Sequence, residues 1–197
     1  MNVSRETTEL FQVYADLIRK WNPTINLVAP ATISDLYNRH IADSAQIFQL
    51  SRPKMGTWLD LGSGGGLPGI VLAILARNIP LAIILAESDK RKAAFLSTVK
   101  RELGLNKLSV KNTRIETLDP GKYDFVSARA LAALDKLMPT LHRQLALDGE
   151  AWLMKGRSWK AEVEAARKGW SFELDSFQSA TDPEAAVLKL RNIEPND

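Results

Sequence analysis

The chain has 197 residues, 45% of them hydrophobic, no cysteine, and a formal net charge of +3. These values allow one compact domain with a true core, and they exclude disulfides, thiolate metal sites and a cysteine nucleophile. The positive balance is too small for a nucleic-acid arm but permits a polyanionic substrate, and no run approaches the ~20 apolar residues that span a bilayer.

Residues 4–21 carry a helical period, with Leu10, Tyr14, Leu17 and Trp21 on one face and Ser4 as N-cap. Asn22-Pro23 is expected to break the run. Residues 33–50 read as two short helices built on Ile33, Leu36, Tyr37, Ile41, Ala45, Phe48 and Leu50. Residues 1–50 thus form a helical extension to a body spanning 51–197, within one compact domain. The first ten residues lack the apolar core of a signal peptide, so a cytoplasmic protein is expected.

From residue 57 strands and helices alternate. Strands are expected at 57–61, 81–86, 108–112, 123–127 and 151–154. Helices are expected at 68–77, 89–103, 131–145 and 158–168. Residues 170–177 and 186–190 form a closing antiparallel pair. Continuous apolar strands between helices predict an α/β fold with a mostly parallel, seven-stranded sheet covered on both faces. Ligands in such sheets bind beyond the carboxyl ends of the strands, so strand-end motifs belong to one site.

The first strand ends in Asp60, and glycines follow at Gly62, Gly64, Gly65 and Gly66. Pro68 then opens an apolar run suited to a helix start. Strand, glycine turn and helix form the layout of a nucleotide-type cofactor site, with the helix N–H groups aimed at the turn. A Walker loop would need Gly-Lys-Ser/Thr where Leu67-Pro68-Gly69 stands. Gly64-x-Gly66-x-x-Gly69 satisfies the dinucleotide pattern, but its last glycine falls beyond the proline. Asp60-x-Gly62-x-Gly64-x-Gly66 instead resembles motif I of the class I S-adenosylmethionine (SAM) methyltransferases. A carboxylate suits the cationic sulfonium and amino-acid end of SAM better than it suits a pyrophosphate. A turn that binds nothing would not need four glycines, which are entropically costly.

Glu87 closes the second strand at the spacing of an acid that accepts both protons of a ribose diol. After the third strand, Ile115 is placed to pack on an adenine face and Glu116, or its backbone, to meet the exocyclic amine. The fourth strand ends in Ser127-Ala128-Arg129-Ala130. The Asn/Asp-Pro-Pro-aromatic motif of amino-methyltransferases is missing there. Arg129 offers a planar fork suited to a carboxylate, a phosphate or a guanine edge. His40 and Asp43, at i and i+3, are expected to pair on one helix face and fix two helices. His142 reads as surface, and two distant histidines give no metal site. Arg39, His40, Arg114, Lys155 and Arg157 are candidate RNA contacts.

Five separated blocks carry a more specific resemblance. They are Lys20-Trp21-Asn22-Pro23-Thr24-Ile25-Asn26-Leu27, Arg39-His40-Ile41-Ala42-Asp43-Ser44, the Asp60 to Gly69 loop, Ser127-Ala128-Arg129-Ala130 and Leu153-Met154-Lys155-Gly156. Together they resemble the RsmG (GidB) family of bacterial 16S rRNA guanine-N7 methyltransferases, over roughly residues 10–190. The resemblance implies a Rossmann-like, SAM-dependent core with an N-terminal helical extension. It implies cofactor contacts at Gly62, Leu67, Ile115, Glu116 and Arg129, joined by the motif residues Asp60, Gly64, Gly66 and Glu87. It also implies methyl transfer to N7 of a guanine (guanine-527) in the 530 loop of small-subunit rRNA, free or in the assembling 30S particle. A monomer is expected, with no metal and no membrane. Ala128 and Ile115 depart from the residues the family commonly shows there, Ser and Ala.

Guanine N7 carries a lone pair and no proton, so the lack of an evident general base fits that acceptor. A SAM-dependent enzyme acting on a small molecule would share every strand-end motif, and a binding-only module would share the fold.

Overall fold

A computed structural model describes residues 3–196. The first helix, α1 (Arg5–Ile25), starts where Ser4 Oγ accepts from the Thr7 amide at 3.2 Å. Pro23 does not end it, contrary to expectation. Proline removes one amide donor, but Asn22 compensates at the helix end. Its Oδ1 accepts from the amides of Leu27 and Val28, at 2.8 Å each, and Asn26 takes a left-handed turn with φ 47°. The stop signal is therefore Asn26, one turn later than the sequence suggests.

Residues 30–51 also differ from the two regular helices expected. A 3-10 turn (Pro30–Asp35) leads to a π-type turn (Tyr37–Ala42), which runs into α2 (Asp43–Ser51). The widened turn is an irregularity of the kind that collects at functional sites.

Seven strands follow among the described residues: β1 (Gly56–Leu61), β2 (Leu81–Glu87), β3 (Leu108–Asn112), β4 (Tyr123–Arg129), β5 (Leu145–Lys155), β6 (Trp170–Gln178) and β7 (Ala186–Pro195). Between them lie α3 (Gly69–Leu75), α4 (Lys90–Glu102), α5 (Leu134–Gln144) and α6 (Trp159–Arg167). The sheet order is β3-β2-β1-β4-β5-β7-β6. The first five strands pair in parallel, and β7 runs antiparallel to both β5 and β6. The expected α/β class is therefore observed, with β5 longer at its start than the sequence suggests. The order reverses beside β1, between β2 and β4, and a ligand crevice opens at such a point.

Strand alternation divides the core. Trp58 faces the layer that holds α1, α3 and α4, with Phe11, Tyr14, Ile18, Ile70 and Phe95. Its neighbours Leu59 and Leu61 face the other layer, with Leu137, Met138 and Leu153. The N-terminal extension therefore shares one continuous apolar cluster with the sheet. Full burial of Phe11, Ile18 or Ile47 contributes about 1.5–3 kcal/mol each, which seats the extension firmly beside the crevice. No described helix is long and apolar enough to cross a membrane.

Candidate active site

The turn after β1 requires its glycines for stated reasons. Gly62, Gly64 and Gly66 take φ values of 60°, 55° and 90°, in the left-handed region. A Cβ on Gly62 would also run into the side chain of Leu131, and one on Gly66 would meet Ile70 and the Tyr14 hydroxyl. Tyr14 reaches up from α1 and donates to Gly65 O at 2.6 Å. Burial holds that phenol protonated by pushing its pKa up, so it acts as a fixed donor.

Asp60 is fully buried beneath this turn. Its Oδ1 accepts from Ser127 Oγ at 2.6 Å, and its Oδ2 accepts from the Gly69 amide at 3.2 Å. Ser127 Oγ in turn accepts from Trp58 Nε1 at 2.9 Å. Asp60 therefore ties β1 to β4 and to α3. The expectation that it meets the cofactor's cationic end needs correcting, because the cavity above is not lined by it. Gly69 is explained by the same contact: a Cβ there would stand 2.6 Å from Asp60 Oδ2. The third glycine of the apparent dinucleotide pattern thus serves packing. The helix also starts at Gly69, and its first two amides are taken by Asp60 and Gly66 O rather than aimed outward.

A cavity of about 730 Å³ opens above the turn. Gly62, Gly64, Leu67, Glu87, Ile115, Glu116, Arg129, Arg114 and His40 all line it, whereas Gly66 lies beneath with Asp60. Glu87 is 7% exposed and takes the Gly64 amide on Oε2 (2.7 Å) and the Asp89 amide on Oε1 (2.8 Å). Each oxygen keeps a lone pair for a further donor.

Arg129, at the end of β4, stands at the far wall. Nη1 donates to Asp43 Oδ2 at 3.1 Å, and Nη2 donates to His40 Nδ1. His40 is thereby the tautomer protonated on Nε2, which donates to Thr32 Oγ1 at 2.7 Å. Burial, with Arg129 and Arg39 beside it, pushes the His40 pKa down to about 4, so the ring is neutral at physiological pH. The expected direct pair of His40 and Asp43 is not formed. Both are turned onto Arg129, because the π-type turn separates them from regular i, i+3 geometry.

A second cavity, of about 790 Å³, lies on the other side of this group and shares His40, Arg129 and Ala130 with the first. Ala130 takes φ 49°, a strained conformation for a residue with a Cβ, at the junction of the two.

A glycine cradle, a diol-ready acid and an apolar wall beside a basic group fit a nucleoside with an amino-acid tail. The rRNA small subunit methyltransferase G family (GidB) matches residues 7–187. The chain belongs to this family. It is 51% identical to Ribosomal RNA small subunit methyltransferase G of Paracoccus denitrificans over 193 residues, which cover 98% of each chain. It is 49% identical to the protein of that name from a Ruegeria species, over 98% of this chain and 95% of that one. Among solved structures, a putative SAM-dependent methyltransferase from Methanococcus maripaludis matches 97% of this chain and 95% of its own, with TM-score 0.60 and 14% identity. Ribosomal protein L11 methylase from Lactobacillus delbrueckii matches 81% and 79%, with TM-score 0.62 and 16% identity. These structures show the fold: the Rossmann-like methyltransferase core. As a member of the GidB family, the chain is a methyltransferase whose methyl donor is SAM.

The remaining candidates of this GidB methyltransferase divide clearly. Arg39 is exposed and lines the second cavity, and Arg114 is exposed at the first. Lys155 is a correction. Its side chain is 7% exposed, and Nζ donates to Glu162 Oε2 at 2.8 Å and Ala132 O at 2.6 Å. It braces α6 against the β4–α5 connection at the edge of the second cavity, with two of its three N–H donors taken by the protein. Arg157 is exposed and lies 3.8 Å from Glu184. His142 is partly exposed, as expected, with Nδ1 bonded to Ile193 O at 2.7 Å.

Sequence reasoning missed Leu27, Val28 and Ala29, which form a wall of the cofactor cavity from the extension. The Trp-Asn-x-x-x-Asn-Leu block was their signal, since Asn22 holds that segment. It also missed Arg143, whose Nη2 donates to the carbonyls of Ile115 and Glu116 at 3.1 and 3.0 Å and so braces the adenine-side segment.

Burial pushes the Asp60 pKa up to about 6, against the opposing pull of its hydrogen bonds to Ser127, Ser63 and Gly69. An unfolded aspartate titrates near 3.9. Between those values the folded chain holds the extra proton, so stability is highest below pH ~4 for this group and falls as pH rises through about 6. Asp60→Asn is expected to flatten that fall, on the order of 2–3 kcal/mol in all. Denaturant melts of both proteins between pH 4 and 7 check it, and an unchanged slope would remove Asp60 as its source.

Proposed function

We propose that this chain transfers a methyl group to N7 of a guanine in the 530 loop of small-subunit rRNA. The observation that carries the reading is the meeting of two cavities at Arg129, where the described groups at the junction, His40 and Asp43, are already engaged. His40 is neutral with both ring nitrogens engaged, and Asp43 is occupied by donors on both oxygens. An acceptor that must lose a proton would be poorly served there. Guanine N7 offers an in-plane lone pair and carries no proton, so the residues here would need only to hold the base in position beside a bound donor.

SAM, when bound, supplies that electrophilic methyl group. The backbone of Gly62, Gly64 and Gly65 cradles its amino-acid end, with Leu67 beside it. Glu87 accepts from the ribose hydroxyls, Ile115 packs on the adenine, and Glu116 meets the exocyclic amine. Methylation leaves positive charge on the guanine, so Arg129 serves O6, a phosphate or the cofactor, and does not face N7. Arg39 and Arg114, at the two cavity mouths, take RNA phosphates. These exposed cations favour RNA over a metabolite, which would need no basic rim. The enzyme acts in the cytoplasm as a monomer on naked rRNA or the assembling 30S particle.

The deciding experiment maps N7-methylguanine in small-subunit rRNA from cells with and without this protein. Loss of one mark in the 530 loop is the expected result. An unchanged map, with radiolabelled methyl passing to a metabolite instead, would replace the reading. The same label offered to naked rRNA and to 30S particles identifies the substrate form.

A further inference from the structure

We propose that Asp43 is a positioning residue that couples the rim of the second cavity to Arg129. The proposal rests on the reading of Arg129 as a group of the methyl-transfer site. The two oxygens of this carboxylate do different things. Oδ2 accepts from Arg129 Nη1 at 3.1 Å and, with His40, sets where the guanidinium points. Oδ1 accepts from Thr181 Oγ1 at 2.5 Å, Gln46 Nε2 at 2.9 Å and Ser179 Oγ at 3.4 Å.

Thr181 and Ser179 belong to the segment joining β6 to β7, residues 179–185. That segment is latched a second time by Gln46, whose Oε1 accepts from the Ala180 amide at 2.7 Å. The β6–β7 segment is the far rim of the second cavity, and Arg129 is its wall against the cofactor cavity. The rim and the wall come from chain segments some fifty residues apart, and among the described residues Asp43, on a third, is the one side chain bonded to both. Asp43 and Arg129 are each less than a fifth exposed, so neither is held loosely by solvent. A shift of the rim segment when RNA seats in the cavity would pull on Oδ1, and the pull passes through Oδ2 to the guanidinium. The N-terminal extension thus supplies a working part of the site.

Asp43→Asn keeps the size but removes the charge and one accepting oxygen: with its oxygen on Arg129, its amide N–H groups face the rim, where the Thr181 and Ser179 hydroxyls must turn to accept and Gln46 Nε2 loses this acceptor. Its kcat is expected to fall about tenfold or more. The SAM Kd by calorimetry reports the cofactor cavity apart from turnover. The decisive reading is a double-mutant cycle: Asp43→Asn in the Arg129→Ala background should cost no further activity. Thr181→Val cuts the shortest contact between the rim and Oδ1; it should raise KM for the RNA and lower kcat in the same direction as Asp43→Asn, though less, because Gln46 and Ser179 still reach Oδ1. Thermal midpoints are recorded for every variant. Multiplying losses from Asp43→Asn and Arg129→Ala, or a wild-type kcat for Asp43→Asn, would overturn the inference. If Asp43→Asn fails to fold, the charge-keeping Asp43→Glu carries the same cycle with the same two outcomes. Failure of the underlying reading looks different, since Arg129→Ala alone would then transfer methyl normally.

Discussion

Gly62→Val is expected to abolish SAM binding, with affinity for the donor and for its demethylated product falling by more than ~100-fold. Two costs combine at this position. The backbone stands at φ 60°, where a β-branched residue is a steric outlier, and such strain costs about 1–3 kcal/mol. The added Cβ would also overlap the Leu131 side chain, which lines the same cavity. The turn must open or Leu131 must move inward, and either change closes the space a nucleoside needs. Gly64→Ala separates the two costs. A Cβ there would find only Gly62 O, at 3.8 Å, so it meets the backbone penalty of ~1–2 kcal/mol without the collision. Thermal melts should therefore place Gly64→Ala between wild type and Gly62→Val. Calorimetric titration of folded Gly62→Val decides the matter, and a normal affinity would refute this placement of the cofactor.

Arg129→Ala is expected to lose methyl transfer by about 10²–10³-fold while the chain stays folded. The fold survives because the group it leaves is not stranded. Asp43 keeps Thr181, Gln46 and Ser179 on its other oxygen, and the adjoining cavities admit water to the vacated side. Arg129→Lys is expected to recover little. A single ammonium replaces a fork that spans His40 and Asp43 at once, so charge alone does not restore the geometry. Single-turnover transfer to small-subunit rRNA, with circular dichroism as the folding control, measures both variants. Unchanged transfer by Arg129→Ala would take this residue out of the site.

Elements with strong periodicity were legible before the fold was known. The β1–turn–α3 unit and most of the alternating strands stand within a few residues of where the pattern puts them, while β5 starts earlier and β7 runs further. Residues at strand ends also gathered as anticipated, because a parallel sheet brings every carboxyl end to one edge. Glu87, Ile115, Glu116 and Arg129 line one cavity for that reason. Errors arose where a side-chain hydrogen bond overrode the signal of residue type. Pro23 predicts a break, yet Asn22 carries the helix past it by holding Leu27 and Val28. Lys155 reads as a free cation after a strand, yet Glu162 and Ala132 take it inward.

By itself the sequence determined the architecture, since period-2 and period-3.6 patterns and a glycine turn are written in neighbouring residues, and the resemblance of the Asp60 to Gly66 turn to motif I gave the cofactor class. Only the tertiary structure decided which charged groups face the cavities. Asp60 could have pointed up at a ligand or down into the sheet. It points down because Gly69 leaves space for it and Ser127 meets it from the next strand. Likewise, nothing local reveals that His40 and Asp43 both turn to Arg129, nearly ninety residues away. Hydrogen bonds of that span depend on sheet order and the packing of the extension, so they exist only after the chain has closed on itself.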